Sequence, residues 1–171
     1  TGDTLDNLSL DLVLSKIPGL ARVLTGADYA AVTITQPRGG LRIFHDGLGN
    51  NVNWQDKDLP QGKGILGRLG PVDSPIHLDD LTSHPDSYGF PDWHPDMKAL
   101  VGIQIFAGRG YKANLYVSNA PNNGEFTTRD TEILAQLTQF VKFAMEFAEL
   151  HDRERKNRMN VEATQNRLQA V

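Results

Sequence analysis

No cysteine occurs in the 171-residue chain. That absence removes disulfides, thiolate nucleophiles, iron–sulfur clusters, zinc–thiolate sites and covalent C-x-x-C-H haem attachment. Any metal must be held by histidine, carboxylate, tyrosine or methionine. A basic excess is lacking as well: 17 Lys and Arg stand against 21 Asp and Glu, for a net charge of -4. Nucleic-acid binders normally gather positive charge on one face, so direct DNA or RNA binding is disfavoured. No apolar run approaches the roughly 18 residues that cross a bilayer, and the opening TGDTLDNLSL has neither a basic start nor an apolar core. A cytoplasmic segment without a membrane span is expected. Gly62, Lys63, Gly64 and Gly67 lack the Walker spacing, and no nucleophile-elbow, zincin or kinase signature occurs. The glycines read as a backbone turn, and no catalysis is expected of this segment.

What is present has globular proportions, with 39% hydrophobic and 22% charged residues, and the length suits one domain. The chain begins on Thr rather than Met and ends mid-pattern, so a piece of a longer polypeptide is expected. Leu5, Leu8, Leu12, Leu20, Val23 and Leu24 recur at helical spacing over Thr4–Thr25, with Pro18 placed to break or restart the helix and Gly26 to close it. Tyr29–Gln36 and Leu41–Phe44 flank the turn signal PRGG and read as a β-hairpin. Residues 46–96 are dense in Gly, Pro, Asp and Asn, with short apolar groups at Ile65-Leu66 and Ile76-His77-Leu78. Long irregular segments in compact domains are usually functional or disordered, and Trp54, Tyr88, Phe90 and Trp93 favour a folded, ligand-enclosing cover. Ala99–Ala107 and Tyr111–Ser118 form a second antiparallel pair about the turn Gly108-Arg109-Gly110.

The start signal Thr127-Thr128-Arg129-Asp130 opens a helix with Ile133, Leu134, Leu137, Phe140, Val141, Ala144, Met145 and Ala148 on one face. Beyond it Phe143, Phe147, Leu150, Glu154, Asn157, Val161, Thr164, Leu168 and Val171 alternate three- and four-residue steps. Such a seam fits a weak coiled coil or a solvated tail helix equally well. The element order is α+β, an antiparallel sheet with helices on one side.

Five histidines are present, at positions 45, 77, 84, 94 and 151. His94 stands in GFPDWHPDMKALVG between Pro91 and Pro95, with Trp93, Phe90 and Met97 close by. A haem needs a rigidly held neutral imidazole and apolar walls; the same residues also fit a proline-rich surface turn. Tyr116 shares a strand face with Asn114 and Ser118, opposite Leu115 and Val117. Its hydroxyl can donate to a bound ligand, or the ring can be ordinary strand packing. His77, Asp79, Asp80, His84 and Asp86 offer imidazole and carboxylate ligands for zinc, manganese or non-haem iron, although their spacing matches no compact two-histidine motif and Asp79 or Asp80 serves equally as a helix cap.

Three stretches, GKGILGRL, PIHLDDLTSHPDSYGFPDWHPDMKALVGIQI and ANLYVSNAPNNGEFTTRDTEILAQL, with a fainter VEATQNRL, carry a resemblance. Over roughly Gly62–Leu137 the chain resembles the haem-binding GAF domains of DevS/DosT-type (dormancy survival) sensor histidine kinases. The resemblance implies a GAF fold, with a central antiparallel sheet, N- and C-terminal helices on one face and a loop and helix cover on the other. It implies haem b with His94 as the iron ligand and Tyr116 on the distal side; Tyr88, Gly89, Phe90 and Met97 complete the expected pocket. Two departures stand out: Asp96 replaces the family's usual Pro, and Gln104 the Pro of its G-V-P-V strand. The implied function is sensing of O₂, CO, NO or redox state, passed through the terminal helices of a homodimer to a kinase domain of the same polypeptide. A GAF unit over residues 1–150 and a signalling helix over 151–171 are expected. A GAF domain for another small molecule, or a ligand-free dimerisation module, remain the rival readings.

Overall fold

The structure, a computed structural model, describes residues 2–35, 40–49, 64–90, 92, 94–108 and 110–170, with side chains from residue 10 onward. Pro37, Arg38 and Gly39 of the expected PRGG turn, with Trp54, Trp93, Pro91 and Arg109, therefore lie outside the described residues.

Helix α1 spans Gly2–Thr25. Leu10, Leu14, Ile17 and Ala21 recur at four- and three-residue steps and are all buried, the stripe that a 3.6-residue period lays along one side. Pro18 does not break this helix, contrary to expectation: it sits inside it, fully buried. A proline costs the turn one donor, and the buried stripe on either side keeps the helix in line. Gly26, at φ 71°, ends it by donating its N–H to the Arg22 carbonyl at 2.8 Å.

Among the described residues five strands follow: β1 (Tyr29–Thr35), β2 (Leu41–Asp46), β3 (Ile76–Leu78), β4 (Ala99–Ala107) and β5 (Tyr111–Asn119). They form one sheet in the order β2-β1-β5-β4-β3, and every pairing is antiparallel. Ile76-His77-Leu78, expected as part of an irregular cover, is the edge strand β3. Three residues are too short to show alternation, and only the free side of β4 makes them a strand. Among the described residues between β2 and β4 lie two 3-10 turns, Gly64–Arg68 and Leu81–Ser83.

The strand period of two divides the sheet cleanly. Ala30, Val32, Ile34, Ala99, Val101, Ile103, Ile105, Ala107, Ala113, Leu115 and Val117 share one buried cluster with the α1 stripe and with Leu134, Leu137, Val141 and Met145. Those last four belong to α2, Thr128–Gln169. Its start is a reciprocal cap: the Asp130 N–H donates to the Thr127 hydroxyl at 3.3 Å, and the Asp130 carboxylate accepts the Thr127 N–H at 2.8 Å. α2 runs unbroken through residue 150, where the signalling segment was expected to begin. Phe140 was expected in its buried face and is instead 63% exposed. The sheet covers only the side of α2 carrying Leu134, Leu137, Thr138, Val141 and Met145, and Phe140 falls with Phe143 and Phe147 on the outer one. Both helices thus lie on one face of the sheet, and the other face is left to the cover.

Leu134 has 0% of its surface exposed, so Leu134→Ala is predicted to lower the unfolding free energy by about 2–5 kcal/mol in urea titration. Thr127→Ala, which removes only the cap, should cost about 1 kcal/mol. Equal losses would show that burial at Leu134 is not what anchors α2.

Candidate functional site

Cross-strand partners share a face in an antiparallel sheet, so the register writes out the cover side row by row. One row is Ile76, Gly102, Tyr116, Ala31 and His45; the next is Gln104, Asn114, Thr33 and Ile43; on the other flank come Leu78, Leu100, Ser118 and Tyr29. Onto this floor packs a second apolar cluster, with Ile65, Leu81, Met97 and Leu100 buried and Tyr29, Leu48, Ile76, Leu78, Phe90 and Tyr116 partly so.

The irregular cover is stitched to the sheet by backbone bonds. Leu81 N–H donates to Lys98 O at 2.7 Å, Lys98 N–H to Asn119 O at 2.8 Å, and Gln104 N–H to Gly70 O at 2.7 Å. A proline at position 104 would have no such donor. Gly102 is the gap that admits the cover: a Cβ there would lie 2.6 Å from Leu69 Cδ2 and 3.3 Å from Tyr116 Cβ. Leu69 therefore fills the place a side chain would take beside Tyr116.

His94 joins this cluster through Phe90. The two rings stack with centroids 4.6 Å apart and planes 8° apart. His94 Nδ1 lies 2.8 Å from the Pro95 carbonyl; a carbonyl only accepts, so Nδ1 carries the proton and the lone pair sits on Nε2. Burial pushes the imidazole below its ordinary value of 6.5, with the Pro95 bond pulling the other way. The result is a half-buried neutral ring of fixed tautomer. Tyr116 belongs to the same cluster as Met97 and Phe90, on the face opposite Leu115 and Val117, as its parity predicts. Burial pushes its phenol up, so the hydroxyl keeps its proton.

The six expected pocket residues are thus sorted. His94, Tyr116, Phe90 and Met97 come together; Tyr88 is 84% exposed and turns over Gly64; Gly89, at φ 75°, serves the loop backbone. Asp96 is exposed. The alternative metal cluster does not assemble, since no group of three His, Cys, Asp or Glu among the described residues is placed to hold a metal ion. His77 Nε2 donates to Phe126 O at 3.0 Å, tying β3 to the start of α2. His84 Nδ1 accepts the Asp86 N–H at 3.1 Å. Asp80 caps the second 3-10 turn through Thr82 N–H at 3.0 Å, and its carboxyl is held below its usual range by hydrogen bonds from Thr82.

Two features were not singled out from sequence. A polar row crosses the floor beside Tyr116: Gln104 Nε2 donates to Asn114 Oδ1 at 3.4 Å, and Asn114 Nδ2 to Thr33 Oγ1 at 3.2 Å. His45 lies in the row of Tyr116, on the far side of Ala31. The signal for both is strand parity, which needs the hairpin register to be read.

Among solved structures, the chain is similar to the GAF domain of a phosphoenolpyruvate-protein phosphotransferase from Acinetobacter, at 18% identity and a TM-score of 0.64, covering 83% of this chain and 85% of that one. The chain has the GAF fold. It is also similar to the GAF-B domain of DevS from Mycobacterium smegmatis, at 18% identity and a TM-score of 0.55, covering 85% of this chain and 98% of that one. A third likeness is to free methionine-R-sulfoxide reductase from Neisseria meningitidis in complex with its substrate, at 14% identity and a TM-score of 0.60, covering 86% of each chain. No protein-family model matches. At these identities the likenesses carry the GAF fold alone. Among the described residues, no helix is long and apolar enough to cross a membrane.

Burial lowers both His45 and His94 from 6.5. Between the lowered midpoints and 6.5 the unfolded chain binds more protons than the folded one, so stability is lost as pH falls through that window. The melting temperature of the ligand-free GAF fold should therefore drop below about pH 6.5, and the double variant His45→Gln/His94→Gln should flatten the drop. An unchanged slope would mean that neither ring is buried as described.

Proposed function

We propose that the cover side of this GAF fold is a haem b pocket in which His94 would hold the iron, and that the chain is the sensory part of a two-component histidine kinase. The observation that carries this reading is the state of His94: half-buried, neutral, with its lone pair directed to Nε2 and its ring stacked on Phe90 at the margin of an apolar cluster. The residues present fit the group. A haem takes one neutral imidazole whose other nitrogen is bound to a carbonyl or carboxylate, and Phe90, Met97 and Leu100 offer apolar walls. When bound, the haem iron supplies affinity for O₂, CO or NO and a change of oxidation state. The chain's own part would be to hold His94 through Pro95, to exclude water, and to offer the Tyr116 hydroxyl as a hydrogen-bond donor.

The signal leaves through the sheet. Leu115 and Val117 flank Tyr116 and pack on its opposite face with residues of α1 and α2, so a shift at Tyr116 bears on both helices. On α2, Phe140, Phe143, Phe147 and Leu150 are 63%, 69%, 51% and 52% exposed at three- and four-residue steps, and Phe143 and Phe147 stack with centroids 6.4 Å apart. An exposed aromatic seam of this kind fits the same seam of a second copy. The kinase domain lies further along the same polypeptide.

His94→Ala should lose the Soret band after haem reconstitution, while Tyr116→Phe should keep the band and change the preference among O₂, CO and NO. Wild-type protein that stays colourless would sink the haem reading and favour a GAF fold holding a different small molecule beside the polar row. For assembly, Phe143→Glu/Phe147→Glu should convert dimers to monomers in sedimentation velocity with the melting temperature little changed. A dimer that survives both charges places the contact elsewhere.

A further inference from the structure

Asn123 is the one asparagine of the chain that is followed by glycine. The pair has a chemistry of its own, because the backbone nitrogen after an asparagine can attack the side-chain amide carbon. Glycine, having no Cβ, opposes that approach least. The fold decides whether the pair reacts, by leaving the amide accessible and the glycine backbone free to turn. Both conditions hold here. Asn123 and Gly124 are exposed in the turn that follows β5. Gly124 stands at φ 89°, and a Cβ built on it meets no atom within 4 Å. No backbone carbonyl among the described residues accepts its N–H. The Asn123 amide is only loosely tied: Nδ2 donates to Gly26 O at 3.4 Å and to Asn119 Oδ1 at 3.3 Å, both beyond the ordinary N–H···O separation of about 3.0 Å.

Asp46-Gly47 offers a related chemistry and shows the opposite setting. Arg22 holds the Asp46 carboxylate at 2.7 Å, and Asp28 O lies 2.0 Å from where a Gly47 Cβ would stand. That pair is enclosed, whereas Asn123-Gly124 is open.

The turn also carries a structural duty. Asn119, 5% exposed, accepts the Asp28 N–H at 3.1 Å and donates to Gly124 O at 3.1 Å. The Asp28 carboxylate accepts the Ala120 N–H at 2.8 Å, and the Asn123 N–H donates to Ala120 O at 3.1 Å. These bonds clamp the end of β5 to the end of α1 and the start of β1. A carboxylate at position 123 only accepts, so it would face the Gly26 and Asn119 oxygens without a donor and add a charge near Asp28. An isoaspartate would lengthen the backbone by one methylene just before the Gly124 carbonyl that Asn119 holds.

We propose that Asn123-Gly124 is a site of spontaneous deamidation whose products loosen this clamp. Hydroxide takes the proton of the Gly124 nitrogen, which bonds to Asn123 Cγ. The Cγ–Nδ2 bond breaks, and ammonia leaves with a proton from water, closing a succinimide. Water then opens the ring: breaking the bond from Cγ to the Gly124 nitrogen gives aspartate, and breaking the backbone carbonyl's bond to it gives isoaspartate. Nothing is oxidised or reduced, and no ligand is needed.

The test incubates the folded full chain at mildly alkaline and at mildly acidic pH, then follows the tryptic peptide of residues 113–129 by mass spectrometry. The peptide should gain one mass unit, assigned to Asn123 by fragmentation and split between aspartate and isoaspartate forms. The gain should outpace that at every other asparagine by an order of magnitude and be faster at alkaline pH. Asp46 should stay free of isoaspartate. Asn123→Gln, whose longer side chain would have to close a six-membered ring, should abolish the gain. Asn123→Asp, the product of one branch, should lower the melting temperature by a few degrees and speed hydrogen exchange at the Asp28 and Ala120 amides, while Asn123→Gln leaves both near wild type. An Asn123 that survives in the folded chain as long as the other asparagines overturns the proposal. So does an Asn123→Asp variant whose Asp28 and Ala120 amides exchange as slowly as those of the wild type.

Discussion

The pairing of β1 with β5 is the constraint on which the other features rest. Val32 stands opposite Leu115 and Ala31 opposite Tyr116, and because side chains alternate, a slip of one residue would exchange the two faces completely. Leu115 and Val117 would then lie against the loops, and Tyr116 and Asn114 beneath the helices. Apolar matching under α1 and α2 holds the register from one side. From the other, Asn114 donates to Thr33 at 3.2 Å. A clamp closes the end of the pair: Asp28 N–H donates to Asn119 Oδ1 at 3.1 Å, and the Asp28 carboxylate accepts the Ala120 N–H at 2.8 Å.

With the register held, the cover needs little regular structure of its own. Its polar backbone is satisfied where it meets β4, at Lys98 and at Gln104, so loops can lie on a buried surface without stranded donors. Gly70 allows the close turn with Ser74, whose carbonyl occupies the space of a Cβ, and that turn presents the Gly70 carbonyl to Gln104. Aromatic and thioether groups then close over a floor that changes from aliphatic at Leu100 to polar at Asn114 within two rows. A pocket with such a gradient orients an amphipathic ligand, one edge against hydrocarbon and the other within reach of hydrogen bonds.

Much of this was legible in the residues themselves, and the exceptions have physical causes. β4, β5 and the start of α2 announce themselves because alternation and a reciprocal cap are local signals, complete within a few residues. The orientation of Tyr116 followed from the same alternation. His94 stood out through the prolines around it, and the structure adds the burial that keeps the ring neutral and the Pro95 carbonyl that fixes its tautomer. β3 was invisible because its three residues become a strand only against β4. Pro18 misled because a helix-breaking tendency is local while the packing that overrides it is tertiary. Phe140 misled because one periodic stripe on α2 passes from core to seam without a gap. His45 and the row from Gln104 to Thr33 went unnoticed because they are assembled across strands far apart in the chain.

The 42-residue α2 has its last buried side chain at Met145, but Ala148 still packs against the core, Glu149 against Gly108 of the β4–β5 turn, and Asp152 and Arg155 are half-buried. From Lys156 to Gln169 every residue is exposed. At 1.5 Å per residue the exposed part extends roughly 21 Å. It is a lever with its fulcrum at the sheet: a tilt of about 5° at Arg155 sweeps the far end through roughly 2 Å by the same geometry. Displacements too small to disturb the packed interior thus arrive at Gln169 multiplied, and the length of the unsupported arm sets the gain.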